Sequence, residues 1–157
     1  MQLASIFDWI ETLSAVRLIV IIPGLYPAIS ALHILGIGLL VGSIVTVDLR
    51  LLNVLGHAFD DALRSLVRIA LAGFFVAFTT GLLMLSVRIQ QYTSNPAFLA
   101  KMLLLLCAGT NAIALRFATG SPDNRRILNT RRARIAGGLS IGIWVSTVFS
   151  GRWIAFL

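Results

Sequence analysis

Four blocks of apolar residues, each close to membrane-spanning length, constrain this chain more than any other feature. They run roughly from Pro23 to Val47, Ile69 to Val87, Phe98 to Ala118 and Ile135 to Ile154. An α-helix rises about 1.5 Å per residue, so about 20 apolar residues cross the hydrocarbon core of a bilayer. Backbone N–H and C=O groups find no water there, and a helix satisfies them within one segment. Composition agrees. Apolar residues make up 58% of the 157 and charged residues only 12%, too few ionic groups to coat a water-soluble surface. The expected fold is all-α: a single domain over residues 1–157, an integral membrane four-helix bundle.

The segment before the first block is different. Between Ser5 and Leu18 the apolar Phe7, Trp9, Ile10 and Leu13 alternate with Asp8, Glu11 and Arg17. Apolar positions 6, 9, 10 and 13 keep a helical spacing. This predicts an interfacial amphipathic helix over 5–18, with Trp9 at headgroup level. Pro23 and Pro27 then turn the chain into the first span. The alternative is that residues 13–22 dip partly into the bilayer. The start, Met1-Gln2-Leu3-Ala4, lacks the basic residues of a signal peptide, so the segment is expected to stay in the mature chain.

The net charge of +7 does not point to nucleic acid, because six of the 13 basic residues fall between Arg116 and Arg134. That is the signature of one cytoplasmic loop between spans, facing anionic headgroups. The loop after the first span carries Arg50, Arg64 and Arg68; the loop after the third carries Arg125, Arg126, Arg131, Arg132 and Arg134. The loop after the second holds only Arg88. Four spans place both basic loops on one side, so both termini are expected outside.

Polar groups at membrane depth are costly and point to function. His33 lies well inside the first span. A neutral imidazole there suits an axial haem ligand, another metal ligand, a proton relay, or a hydrogen bond to a neighbouring helix. Lys101, a turn inside the third span, and Arg152, at the end of the fourth, belong to the same half of the membrane. They either snorkel outward or pair with anionic groups such as haem propionates or a lipid phosphate. Asp48 is expected to pair with Arg50 or Arg116. Asn111, Thr110, Thr79 and Thr80 are candidates for hydrogen bonds between helices. Gly38 and Gly42, and Gly138 and Gly142, mark faces where helices approach closely or where a flat cofactor or second protomer fits. His57 falls in the first basic loop, too far from His33 to share a site. Met84, Met102 and Cys107 are scattered soft ligands. One cysteine allows no intrachain disulfide, and no hydrolytic constellation or phosphate loop is present.

Leu32-His33-Ile34-Leu35-Gly36, Val41-Gly42 and Val47-Asp48-Leu49-Arg50-Leu51-Leu52 resemble the first helix of an uncharacterised family of small bacterial four-helix membrane proteins. So do Asn95-Pro96-Ala97-Phe98-Leu99-Ala100-Lys101, Trp144 and Gly151-Arg152-Trp153. The resemblance spans nearly the whole chain and implies the inner (cytoplasmic) membrane of a bacterium. More distantly, Leu32-His33 and Lys101 are similar to the four-helix haem-associated protoporphyrinogen oxidases and to the membrane domain of copper-resistance D proteins. In the oxidases that histidine and lysine belong to the functional site, which implies haem b near His33. The sixth ligand is open between Met102, Lys101, a symmetry-related His33 and none. Asn111 stands near the histidine that ends helix three in the oxidases, so the resemblance does not extend to the oxidase activity.

The leading expectation is an accessory or scaffold subunit of a membrane complex, in contact with the lipid bilayer and with a membrane-protein partner or a second copy. The alternatives are a b-type haem redox protein with His33 as axial ligand, and a metal or small-solute transporter.

Overall fold

The computed structural model describes residues 2–119, 130–154 and 156, and every regular element among them is helical. Four helices are long: α3 (Leu25–Leu51), α4 (Leu63–Val87), α6 (Pro96–Thr119) and α7 (Arg131–Trp153). Each is long and apolar enough to cross a membrane. The shorter helices are α1 (Gln2–Thr12), α2 (Ser14–Ile21) and α5 (Ile89–Thr93), and a 3-10 segment (His57–Ala62) leads into α4. The chain is thus an all-α helical bundle. Arg125 and Arg126 of the basic loop lie outside the described residues, while Arg131, Arg132 and Arg134 occupy the exposed first turn of α7.

Local chemistry sets the helix ends. Gly24 turns the chain into α3 with φ +85°, a left-handed conformation open to glycine at no steric cost. Pro27 follows within the first turn, where a missing N–H is tolerated. α3 ends four residues beyond the expected boundary, at a Schellman turn. Val54 N–H donates to Leu49 O at 2.9 Å and Asn53 N–H to Arg50 O at 3.0 Å, with Asn53 left-handed at φ 59°. At α6, the Asn95 side chain accepts from the N–H groups of Ala97 at 2.9 Å and Phe98 at 3.3 Å, with Pro96 at the first helical position. Thr130 caps α7 by accepting from Ala133 N–H.

The amphipathic N-terminal segment forms two helices rather than one. Leu13 breaks it with ψ 135°, and α2 continues to Ile21 with Val16 and Ile19 buried. α2 rests on α3 and α4, and α1 reaches α5.

The long helices alternate in direction. α3 is central, lying against α4 on one side and α7 on the other, while α6 pairs with α7. α3 and α4 meet backbone to backbone. A Cβ added at Gly36 would stand 2.7 Å from Ala77 N, and one at Gly73 would stand 2.6 Å from Leu40 N. At the other flank Gly137 lies against Asp48 and Leu51 of α3. Gly38, Gly42 and Gly142 face open space, so the close approaches use other glycines than the patterned pairs suggested. Each long helix supplies one residue to the central core: Leu40, Ala70, Ala108 and Trp144. A second cluster, Leu51, Leu63 and Ala133, closes the end where α3 stops.

Candidate functional site

His33 sits two turns into α3, facing α4. Its Nδ1 lies 2.8 Å from the Ala77 carbonyl oxygen and 3.0 Å from Thr80 Oγ1. The carbonyl is only an acceptor, so Nδ1 carries the proton and donates. The Thr80 hydroxyl donates to Val76 O at 2.6 Å, which leaves its lone pair for the same imidazole N–H. The remaining nitrogen, Nε2, therefore presents a lone pair. Gly81 makes the seat possible: a Cβ there would stand 3.0 Å from His33 Cε1. A backbone carbonyl orienting one ring nitrogen while the other stays available is the usual support of a ligating histidine.

Lys101 is brought to the same end of the bundle, within electrostatic range of His33. It is half-buried, and its side chain packs beside Gly151 of α7, with Nζ 3.6 Å from where a Cβ would be. Among the described residues no carboxylate pairs with it. Arg152 is exposed and lies over the Phe156 ring, 5.0 Å from its centroid. The structure therefore gathers His33 and Lys101 and leaves Arg152 on the rim. Beside Gly36, one turn from His33, the space is filled by the α4 backbone.

Side chains bonded to backbone carbonyls fasten α6 to α7 along their length. Ser150 Oγ donates to Ala97 O at 2.7 Å, Asn95 Nδ2 to Ile154 O at 3.2 Å, and Asn111 Nδ2 to Ala136 O at 3.1 Å. Asn111 and Thr80 thus make contacts between helices, as their depth suggested. Thr79 and Thr110 turn back onto carbonyls of their own helices.

The opposite end holds a polar cluster that sequence reasoning missed. Arg50 is 1% exposed. Its Nε donates to Asp60 Oδ1 at 2.6 Å, Nη1 to Asn53 Oδ1 at 3.0 Å, and Nη2 to His57 Nδ1 at 2.8 Å. Of the two partners expected for Asp48, Arg50 or Arg116, the first is corrected: the Arg50 guanidinium points past the helix end into the turn, where Asp60 meets it. Asp48 instead neighbours Ser140 of α7 as a hydrogen-bond partner, and its buried Oδ2 has none. Arg50 was read as a loop charge because arginines at span ends usually are. The available signal was Asn53, a stop residue whose amide is placed to accept from an arginine three residues earlier. His57, most of whose side chain is exposed, belongs to this cluster, with about 27 Å of helix separating it from His33.

Met84 and Met102 sit half-buried on different helices and Cys107 is exposed. Among the described residues no three His, Cys, Asp or Glu side chains gather as a metal cage.

A family model described as "Family of unknown function (DUF6644)" matches residues 6–157. No curated protein and no solved structure matches the chain significantly.

Proposed function

The chain belongs to this family of unknown function, and we propose that it is a multi-pass membrane protein carrying a b-type haem on His33. The observation that carries this reading is the orientation of the imidazole. Nδ1–H is committed to the Ala77 carbonyl, so Nε2 is left as a ligand atom. A metal held by one protein ligand must bring most of its own donors, which a porphyrin does with its ring nitrogens.

In this arrangement His33 would hold the iron, Thr80 and Ala77 fix the imidazole ring, and Lys101 would offer its ammonium to an acidic group of the cofactor. Bound haem would supply one-electron transfer. The exposed arginines Arg64, Arg68, Arg116, Arg131, Arg132 and Arg134 gather at the Arg50 end. We take that end as cytoplasmic by the positive-inside rule, which puts His33 in the outer half and both termini outside. Purified protein, oxidised and then reduced with dithionite, should show a Soret band and sharpened visible bands. Colourless protein after expression with ample haem would overturn the reading.

A second reading, an accessory subunit of a membrane complex, is favoured by one observation. Gly38 and Gly42 share an open face of α3, and small residues so spaced let another helix approach closely. Cysteine cross-linking from position 38 to a partner or second copy would support it; cross-linking to lipid alone would remove it.

A further inference from the structure

Asp48 carries a carboxyl group that the packing of the bundle does not explain. It stands three residues before α3 ends at Leu51 and is 4% exposed. α7 presses directly on it: a Cβ added at Gly137 would stand 3.1 Å from Asp48 O and 3.6 Å from Asp48 Cα. About one turn along α7, the buried Ser140 is the side-chain hydrogen-bond partner of the carboxyl. The other oxygen, Oδ2, is buried without a partner, and it is the one such side-chain atom among the described residues.

No cation offsets a negative charge there. Among the described residues Asp48 makes no ion pair. Arg50, two residues on, points roughly 200° around the helix from Asp48 and is taken by Asp60, Asn53 and His57. On α7, Arg131, Arg132 and Arg134 are exposed. Arg116 of α6, Arg64 of α4 and Asp61 before it are exposed too, each with an interaction of its own. A buried carboxylate with one oxygen unpaired and no counter-charge is costly. Two kinds of ligand would relieve it. A metal cation takes several oxygens, whereas Asp48 and Ser140 bring one carboxyl and one hydroxyl, and no three His, Cys, Asp or Glu side chains gather among the described residues. A proton needs only the carboxyl. It removes the charge, lets the O–H meet the Ser140 hydroxyl, and leaves a neutral carbonyl as the unpaired atom, the cheaper one to bury.

We propose that Asp48 is a proton-binding site within the membrane bundle, filled at neutral pH from the arginine-rich end. The side follows from the packing. Leu51, Leu63 and Ala133 form one layer over Asp48 where α3 stops. Leu40, Ala70, Ala108 and Trp144 lie about two turns deeper and separate it from the His33 end. The proton is taken from water at the arginine-rich end and returned to it. Because Gly137 holds α7 against Asp48, the neutral acid is the form in which α3 and α7 close, and losing the proton puts a charge into that contact. This site stands independently of haem at His33.

Infrared spectroscopy of the full-length protein in an ester-free detergent tests it. At neutral pH the wild type should show the C=O band of a protonated carboxylic acid, shifted in heavy water and absent from Asp48→Asn. Ser140→Ala should keep the band and move its frequency, which serves as the test if Asp48→Asn does not fold. Unfolding gives a second readout. A carboxyl that holds its proton only in the folded chain contributes fully below the ordinary carboxylate pKa and loses that contribution as pH rises. The unfolding constant should therefore grow by about tenfold per pH unit from this group, and Asp48→Asn should remove that part of the dependence. A wild-type spectrum without the band, as an ionised Asp48 beside a buried water would give, would overturn the proposal. So would a band that survives Asp48→Asn, or a band that sodium removes at constant pH, which would make a metal cation the ligand.

Discussion

At the residue scale the two ends of α3 use polar side chains differently. His33 is satisfied on one nitrogen and open on the other; Arg50 is satisfied on every side available to it. Arg50→Ala would leave Asp60, Asn53 and His57 without their shared donor. It should lower stability by roughly 2–3 kcal/mol, seen as earlier thermal unfolding in detergent. Arg50→Lys should recover only part, because an ammonium cannot present the guanidinium's fork. A neutral effect of Arg50→Ala would show that the cluster is incidental. Tyr92 gives a test by titration. Burial, then its hydrogen bond with Tyr26, pushes its pKa above the usual tyrosine value. The stabilising contribution is therefore full below the ordinary tyrosine pKa and is lost as pH rises through the raised one. Tyrosinate absorbance of the folded protein should appear later than in the unfolded chain, and Tyr26→Phe should bring it partway back. His33 was legible because a lone polar residue in an apolar span has few explanations. Arg50 was not, because its partner lies ten residues on, across a turn that periodicity does not describe.

At the scale of elements, glycines on opposite faces of one helix have opposite roles. Gly36 and Gly73 let α3 and α4 touch backbone to backbone, whereas Gly38 and Gly42 face nothing. Gly36→Ala or Gly73→Ala should cost about 1–3 kcal/mol by overpacking. Gly38→Ala and Gly42→Ala should be neutral or slightly stabilising, by up to about 1 kcal/mol from helix propensity. Unfolding in a mixed-detergent titration reads both, and equal effects at the two faces would contradict the packing. The spacing of Gly38 and Gly42 is the usual sign of a close helix pair. Spacing alone does not say which face meets a partner; that depends on α4, which brings Gly73 and Ala77 against Gly36. The break at Leu13 was hidden similarly, because apolar spacing continues across it while the backbone does not.

At the scale of the molecule, four apolar blocks were enough to indicate a helical membrane bundle, since hydrocarbon leaves the backbone few other choices. The central place of α3 was not readable, because it follows from small residues on α4 and α7. Orientation rests on the arginines gathered at one end. A Cys107→Ser, Arg132→Cys variant should resist an impermeant thiol reagent added to intact cells and react once the membrane is opened; labelling from outside would reverse the topology. The proposed role of His33 as a ligand is tested most directly by a set of absorption spectra. Wild-type and His57→Ala proteins should share a Soret band, and His33→Ala should lose it while keeping its helical content. A Soret band that survives His33→Ala would contradict the claim.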